Sequence, residues 1–135
     1  MKKYTIDVNE EQLRAISLAC EFTSRFMSGQ METSYWPFSM GYQMDQNTRR
    51  SIDQYLYEVK KLSLGLDPHS SNGYGGDRTS DMLFEAYQSF RHALWKESDE
   101  NHKELTRHTL SSEPPILCAS GIPFPKIEPK TNTPQ

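Results

Sequence analysis

The stretch KYTIDVNEEQ, Lys3 to Gln12, changes periodicity in its middle. Tyr4, Ile6 and Val8 alternate with Thr5 and Asp7, the pattern of a half-buried strand. Asn9 then precedes Gln12 by three positions, as in a capping box. Glu10 and Glu11 fall in the first helical turn, where the helix dipole favours acids. A strand running straight into a helix predicts a mixed fold.

Beyond this junction the helical spacing continues through LRAISLACEFTSRFMSGQ. Leu13, Ile16, Cys20 and Met27 form one stripe, widened by Ala15, Ala19, Phe22 and Phe26, and Gly29 is placed to stop it. A second helix is expected from about Asp45 to Leu64, with Ile52, Tyr55, Leu56, Val59 and Leu62 at three-four spacing and Gly65 at its end. A third should begin near Thr79, capped by Thr79 or Asp77, with Leu83, Ala86, Tyr87, Phe90 and Leu94 as its apolar face. The aromatic and methionine-rich segment 31–44 lies between the first two helices, broken by Pro37 and Gly41. The last third, with LTRHTL, PPILCAS and GIPFPKIEP, reads as short edge strands or an extended arm, because its prolines remove ladder donors. The expected fold class is therefore α+β: an N-terminal strand, three helices and short C-terminal strands that pair with the first. One α+β domain is expected over residues 1–128, with a flexible tail at 129–135.

Composition narrows the function. The chain has 135 residues, enough for one domain, and a hydrophobic fraction of 35%, which leaves a modest core. A small polar protomer of this kind gains stability by oligomerising. A net charge of −3 argues against DNA or RNA as partners, which demand a cationic field. Cys20 and Cys118 have no CxxC partner and suit free thiols in a reducing compartment. With no apolar leader and no run of membrane-spanning length, a cytosolic protein with no membrane partner is expected.

Chemistry concentrates in SSNGYGGDR, Ser70–Arg78. Glycines at 73, 75 and 76 let a ligand approach backbone amides, and consecutive amides can form an anion-binding nest. A helix N-terminus follows, which favours the same charge. Tyr74 offers a ring face, and Asn72 both donates and accepts. The bland alternative is a flexible connection capped by Asp77. Arg25 and Arg91 lie in otherwise apolar helical segments, and Arg78 adjoins the loop; each is either a phosphate reader or half of an internal ion pair. Catalytic signals are sparse. The four histidines lack metal-ligand spacing, HSS at 69–71 has no second copy, and no GxSxG occurs. A binding protein without metal or cofactor is the expectation. Two alternatives are a hydrolase using His69 or His92, and a protein that grips another protein through its 31–44 segment.

The order of these pieces resembles a known family. KKYTIDV leads into NEEQLRAIS and EFTSRFMSGQ, an NGYG loop precedes AYQSFRHALW, and the end carries SEPP and PKIEP. The combination resembles the phage anti-Thoeris sponge family (Thoeris anti-defence protein one) over most of the chain. That resemblance implies a non-catalytic, oligomeric protein acting in the host cytosol. Such a protein binds cyclic ADP-ribose isomers made by bacterial TIR-domain immune enzymes and holds them unchanged. Some members also bind cyclic oligonucleotides. The resemblance implies ligand contacts at Asn72, Arg91 and Arg25, with Tyr74 as the nearest aromatic, and the loop chemistry adds Gly73, Gly75 and Arg78 to the expected ligand residues.

Overall fold

A computed structural model describes residues 1–36, 44–99 and 118–130. Within them the chain forms three α-helices, α1 (Glu10–Ser28), α2 (Gln46–Leu64) and α3 (Arg78–Lys96), with a short 3-10 helix at Thr33–Tyr35. No strand occurs among the described residues, so the α+β expectation is wrong and this part of the fold is all-helical. The helix ends follow local chemistry. Asn9 and Gln12 exchange side-chain-to-backbone bonds in a full capping box at α1. Asp45 accepts the Thr48 amide at α2, and Asp77 accepts the Ser80 amide at α3. Gly29 closes α1 at φ 103°. Another residue there would be strained by the positive φ, and its Cβ would press Leu66 Cδ1 at 3.0 Å and Lys60 Cε at 3.3 Å, so that these side-chain ends would have to shift slightly.

The N-terminal arm shows why alternation alone failed. A strand needs a ladder, and the described residues supply no partner for one. Tyr4 is 85% exposed and Ile6 77%. The arm meets the C-terminal segment through an ion pair between Asp7 and Lys130, both exposed. The GIPFPKIEP segment beside it, expected as an edge strand or an extended arm, carries three prolines and forms no strand. The expected strand at LTRHTL, most of PPILCAS, the centre of the aromatic segment (37–43) and the end of the tail lie outside the described residues.

α1 and α3 pack against each other as an antiparallel pair. The most buried positions of α1 lie off the apolar stripe expected above, of which Leu13, Cys20, Phe22, Phe26 and Met27 are half-buried and Ala15, Ile16 and Ala19 exposed. The fully buried residues of α1 are Ser17 and Ser24, while Ile16 and Leu18 are exposed. Ser24 Oγ donates to the Ser80 carbonyl and Ser80 Oγ donates to the Ser24 carbonyl, each at 2.9 Å. These reciprocal bonds require the two backbones to approach closely, which only small residues allow. From α3 the pair buries Tyr87 and Leu94, and Met31 closes the remaining core. Ser24→Leu should therefore wedge the helices apart and destabilise by about 3 kcal/mol. Ser24→Ala should cost about 1 kcal/mol, the worth of one hydrogen bond. Urea denaturation followed by circular dichroism measures both.

α2 stands apart from this pair. Its main helical contact is the 3-10 helix. The Thr33 amide donates to Asp53 Oδ1 at 2.8 Å, and the Lys60 ammonium reaches Glu32 at 3.3 Å and the Pro68 carbonyl at 2.9 Å. Lys60 is only 2% exposed. Tyr55, Val59 and Leu62, expected on a core-facing stripe, are exposed instead. The polar joint sets which face of α2 turns inward, and it turns Asp53 and Lys60 inward.

Candidate functional site

The Ser70–Arg78 loop folds back over the C-terminal end of α1. The Asn72 amide donates to the Ser28 carbonyl at 2.7 Å, and the Gly75 amide donates to Asp81 Oδ1 at 2.8 Å. Gly73 and Gly75 sit at φ 68° and 94°, so the reversal depends on residues free of a Cβ. These bonds change the expected chemistry. Two of the amides that could have formed an anion nest are already engaged within the chain.

A cleft of about 230 Å³ opens between this loop and the α1–α3 pair, lined among others by Ser24, Arg25, Gln30, Gly73, Tyr74 and Phe84. Of the seven expected ligand residues, Arg25, Gly73 and Tyr74 line it. Gly75 lies one residue further along the loop. Asn72 is exposed outside the lining. Arg78 is exposed too, and its Nε donates to the Ser120 carbonyl at 3.4 Å.

Arg91 is not in the lining but connects to it along α3. Tyr74 packs on Phe84 with ring centroids 5.3 Å apart, and Phe84 packs on Tyr87 at 5.9 Å. The Arg91 guanidinium lies 4.9 Å from the Tyr87 centroid and contacts its hydroxyl. An aromatic ladder thus runs from the loop to the guanidinium. The spacing 84, 87, 91 put these residues on one helix face in the sequence, but Phe84 and Tyr87 went unrecognised as site residues. Ser24, Ser28, Ser80 and Asp81 left no signal beyond ordinary helix-end composition.

The electrostatics of the cleft are mixed. Arg25 donates to Gln30 Oε1 at 2.8 Å, lies 3.6 Å from Glu21, and stacks 5.4 Å from the Tyr35 centroid. A planar guanidinium steadied on three sides presents its remaining donors in a fixed fork. Across the cleft, Asp81 is buried and negative. Burial pushes the Tyr87 phenol up to about 12, with a hydrogen bond to Glu21 acting in the same direction. Burial likewise pushes the Tyr74 phenol up to about 12, with its bond to Glu85 next in size. Both rings are therefore neutral, hydrogen-bonding walls at physiological pH.

Glu85 lies behind Tyr74. Burial would raise its carboxyl, but hydrogen bonds from Ser120, Tyr74 and Cys118 outweigh this and hold it below the usual range. A depressed carboxyl stabilises the fold above the unfolded value of about 4.3, and that contribution drains away as pH falls through the folded value. The raised Tyr74 phenol has the opposite sense. Its contribution is intact below about 10 and is lost as pH climbs toward the folded value. Glu85→Gln should flatten the acid limb of urea stability against pH. An unchanged acid limb would show that Glu85 is not the group being titrated.

Among the described residues no group of three or more histidine, cysteine or acidic side chains could hold a metal ion. None of the helices there is long and apolar enough to cross a membrane. Compared with known protein families, curated proteins and solved structures, the chain matches none.

Proposed function

We propose that this protein sequesters a cyclic ADP-ribose isomer without transforming it, as a sponge for an immune nucleotide signal in the bacterial cytosol. The observation that supports this reading is the convergence of Arg25, Tyr74 and Asp81 on one cleft. A ribose–phosphate ligand needs this combination. A guanidinium takes the phosphate, an aromatic face takes the base, and a carboxylate accepts from sugar hydroxyls. The phosphate belongs at the Arg25–Gln30 end, because Asp81 would repel it at the other. Arg91, outside the lining, acts on the site through the Tyr87 ring and hydroxyl that it contacts.

The cleft is smaller than the roughly 300–1,000 Å³ typical of small-molecule pockets. It can enclose only part of such a ligand, and nanomolar retention requires about 12 kcal/mol. The reading therefore includes a homo-oligomer in which a second copy covers more of the ligand. The exposed Tyr55, Val59 and Leu62 on α2 are the surface available for pairing. A cyclic oligonucleotide is a second cargo class under the same reading.

The test is retention without turnover. The protein is incubated with a cyclic ADP-ribose isomer, separated from free nucleotide by gel filtration, and heated. Intact nucleotide in the supernatant is expected. A new chromatographic product, or protein that carries nothing through the column, sinks the reading. Arg91→Ala should give a folded, assembled protein that releases the nucleotide. If that variant unfolds instead, Arg91 is a structural residue and the reading of it as a ligand residue falls.

A further inference from the structure

Glu85 is 3% exposed in the middle of α3, and three donors from two separate segments converge on its carboxylate. Tyr74 Oη donates to Oε2 at 2.5 Å. The Ser120 amide donates to Oε2 at 3.1 Å and Ser120 Oγ to Oε1 at 2.5 Å, while the Cys118 thiol, 3.7 Å from Oε1, makes its shorter bond to the Ile122 carbonyl at 2.8 Å. The segments also touch directly, since the Ala119 amide donates to Tyr74 Oη at 2.9 Å. Ser120 is itself buried, and its Oγ accepts from the Ile122 amide at 3.1 Å, which closes the 118–122 turn on itself.

Tyr74 needs such an anchor. Gly73 precedes it and Gly75 and Gly76 follow, so its backbone is the most permissive in the chain. Its contact with Phe84 and the bonds at its hydroxyl orient the ring, the hydroxyl being held by Glu85 and by the Ala119 amide of the 118–122 segment. Hydrogen bonds to a buried charged acceptor are about twice as strong as neutral ones, and networks of them reinforce one another.

We infer that Glu85 is a positioning residue that latches the Cys118–Ile122 segment onto Tyr74, so that this C-terminal strap holds the aromatic wall of the cleft in place. Its consequence for ligand rests on the sequestration reading; the latch itself does not. The simpler alternative is that Glu85 only satisfies the Tyr74 hydroxyl, with the strap an independent neighbour.

Amide hydrogen exchange on the full ligand-free chain separates these. In Glu85→Gln, peptides covering both 73–76 and 118–122 should exchange about tenfold faster, while those covering α1 stay unchanged. Ser120→Ala removes a strap contact and leaves the Tyr74–Glu85 bond intact. The latch predicts that the 73–76 loop also speeds up in this variant, by about threefold. Unchanged loop exchange in Ser120→Ala overturns the inference, and this variant decides the matter even if Glu85→Gln does not fold. A spectroscopic readout runs alongside. Ultraviolet titration of Glu85→Gln, with and without Tyr74→Phe, should show the Tyr74 phenol ionising nearer its ordinary value of about 10. Calorimetry with a cyclic ADP-ribose isomer then reads the consequence, about tenfold weaker binding in Ser120→Ala. If wild-type protein binds no isomer, the sequestration reading falls and the exchange result still decides the latch.

Discussion

Glu32→Ala is expected to destabilise the protein by about 3 to 5 kcal/mol, whereas Lys60→Met should cost much less. Lys60 is 2% exposed, and its ammonium has the Glu32 carboxylate at 3.3 Å and the Pro68 carbonyl at 2.9 Å as partners. Removing Glu32 leaves a cation in a low-dielectric site with one neutral acceptor. Removing the cation and keeping the aliphatic stem replaces the charge with a side chain of similar length and leaves Glu32 at 15% exposure, within reach of water that Lys60 at 2% lacks. The effect is large because α2 has no broad helix–helix interface holding it. Lys60 and the Asp53–Thr33 bond are its polar joint to the rest of the chain. Urea denaturation should show the asymmetry, and hydrogen exchange should show α2 loosening first in Glu32→Ala. Equal losses for the two variants would mean that packing of the Lys60 stem, not its charge, secures the joint.

Arg25→Ala should weaken binding of a cyclic ADP-ribose isomer by at least about 100-fold, which corresponds to about 2.7 kcal/mol. With the Asn72 and Gly75 amides engaged by Ser28 and Asp81, Arg25 is the principal phosphate donor that the cleft offers. The fold should tolerate the change. The Arg25–Glu21 pair is half-exposed and one helical turn apart, and pairs of that kind are worth about 0.3–0.5 kcal/mol. Arg25→Lys keeps the charge but loses the planar fork, and should recover only part of the affinity. Calorimetry on folded variants reads both. Full affinity in Arg25→Ala would move the phosphate away from this end of the cleft and remove the main support for the proposed ligand.

The site was partly legible in the sequence. Arg25, Gly73 and Tyr74 announced themselves by type: a cation in an apolar stretch, and a glycine-flanked aromatic before a helix. Tyr87 read as core, and half of its role is core, since it is buried, while Phe84 drew no reading at all. Asp81 and Glu85 carried no signal. Acids in the first turn or the middle of a helix are commonplace, and only the loop's return and the strap's approach make them hydrogen-bond hubs.

What the sequence determined by itself are the events that close within one turn of chain. The Asn9–Gln12 box, the Asp45 and Asp77 caps and the Gly29 and Gly65 stops all lie where local chemistry puts them. Each is decided by atoms three or four residues apart. Tertiary structure decided which faces are buried and whether the alternating arm becomes a strand. Burial of Ser17 and Ser24 ahead of Ile16 follows from how closely α1 and α3 approach, a distance that no local pattern encodes. KYTIDV has the side chains of a strand, but a ladder is a property of two segments, and among the described residues the second segment is missing.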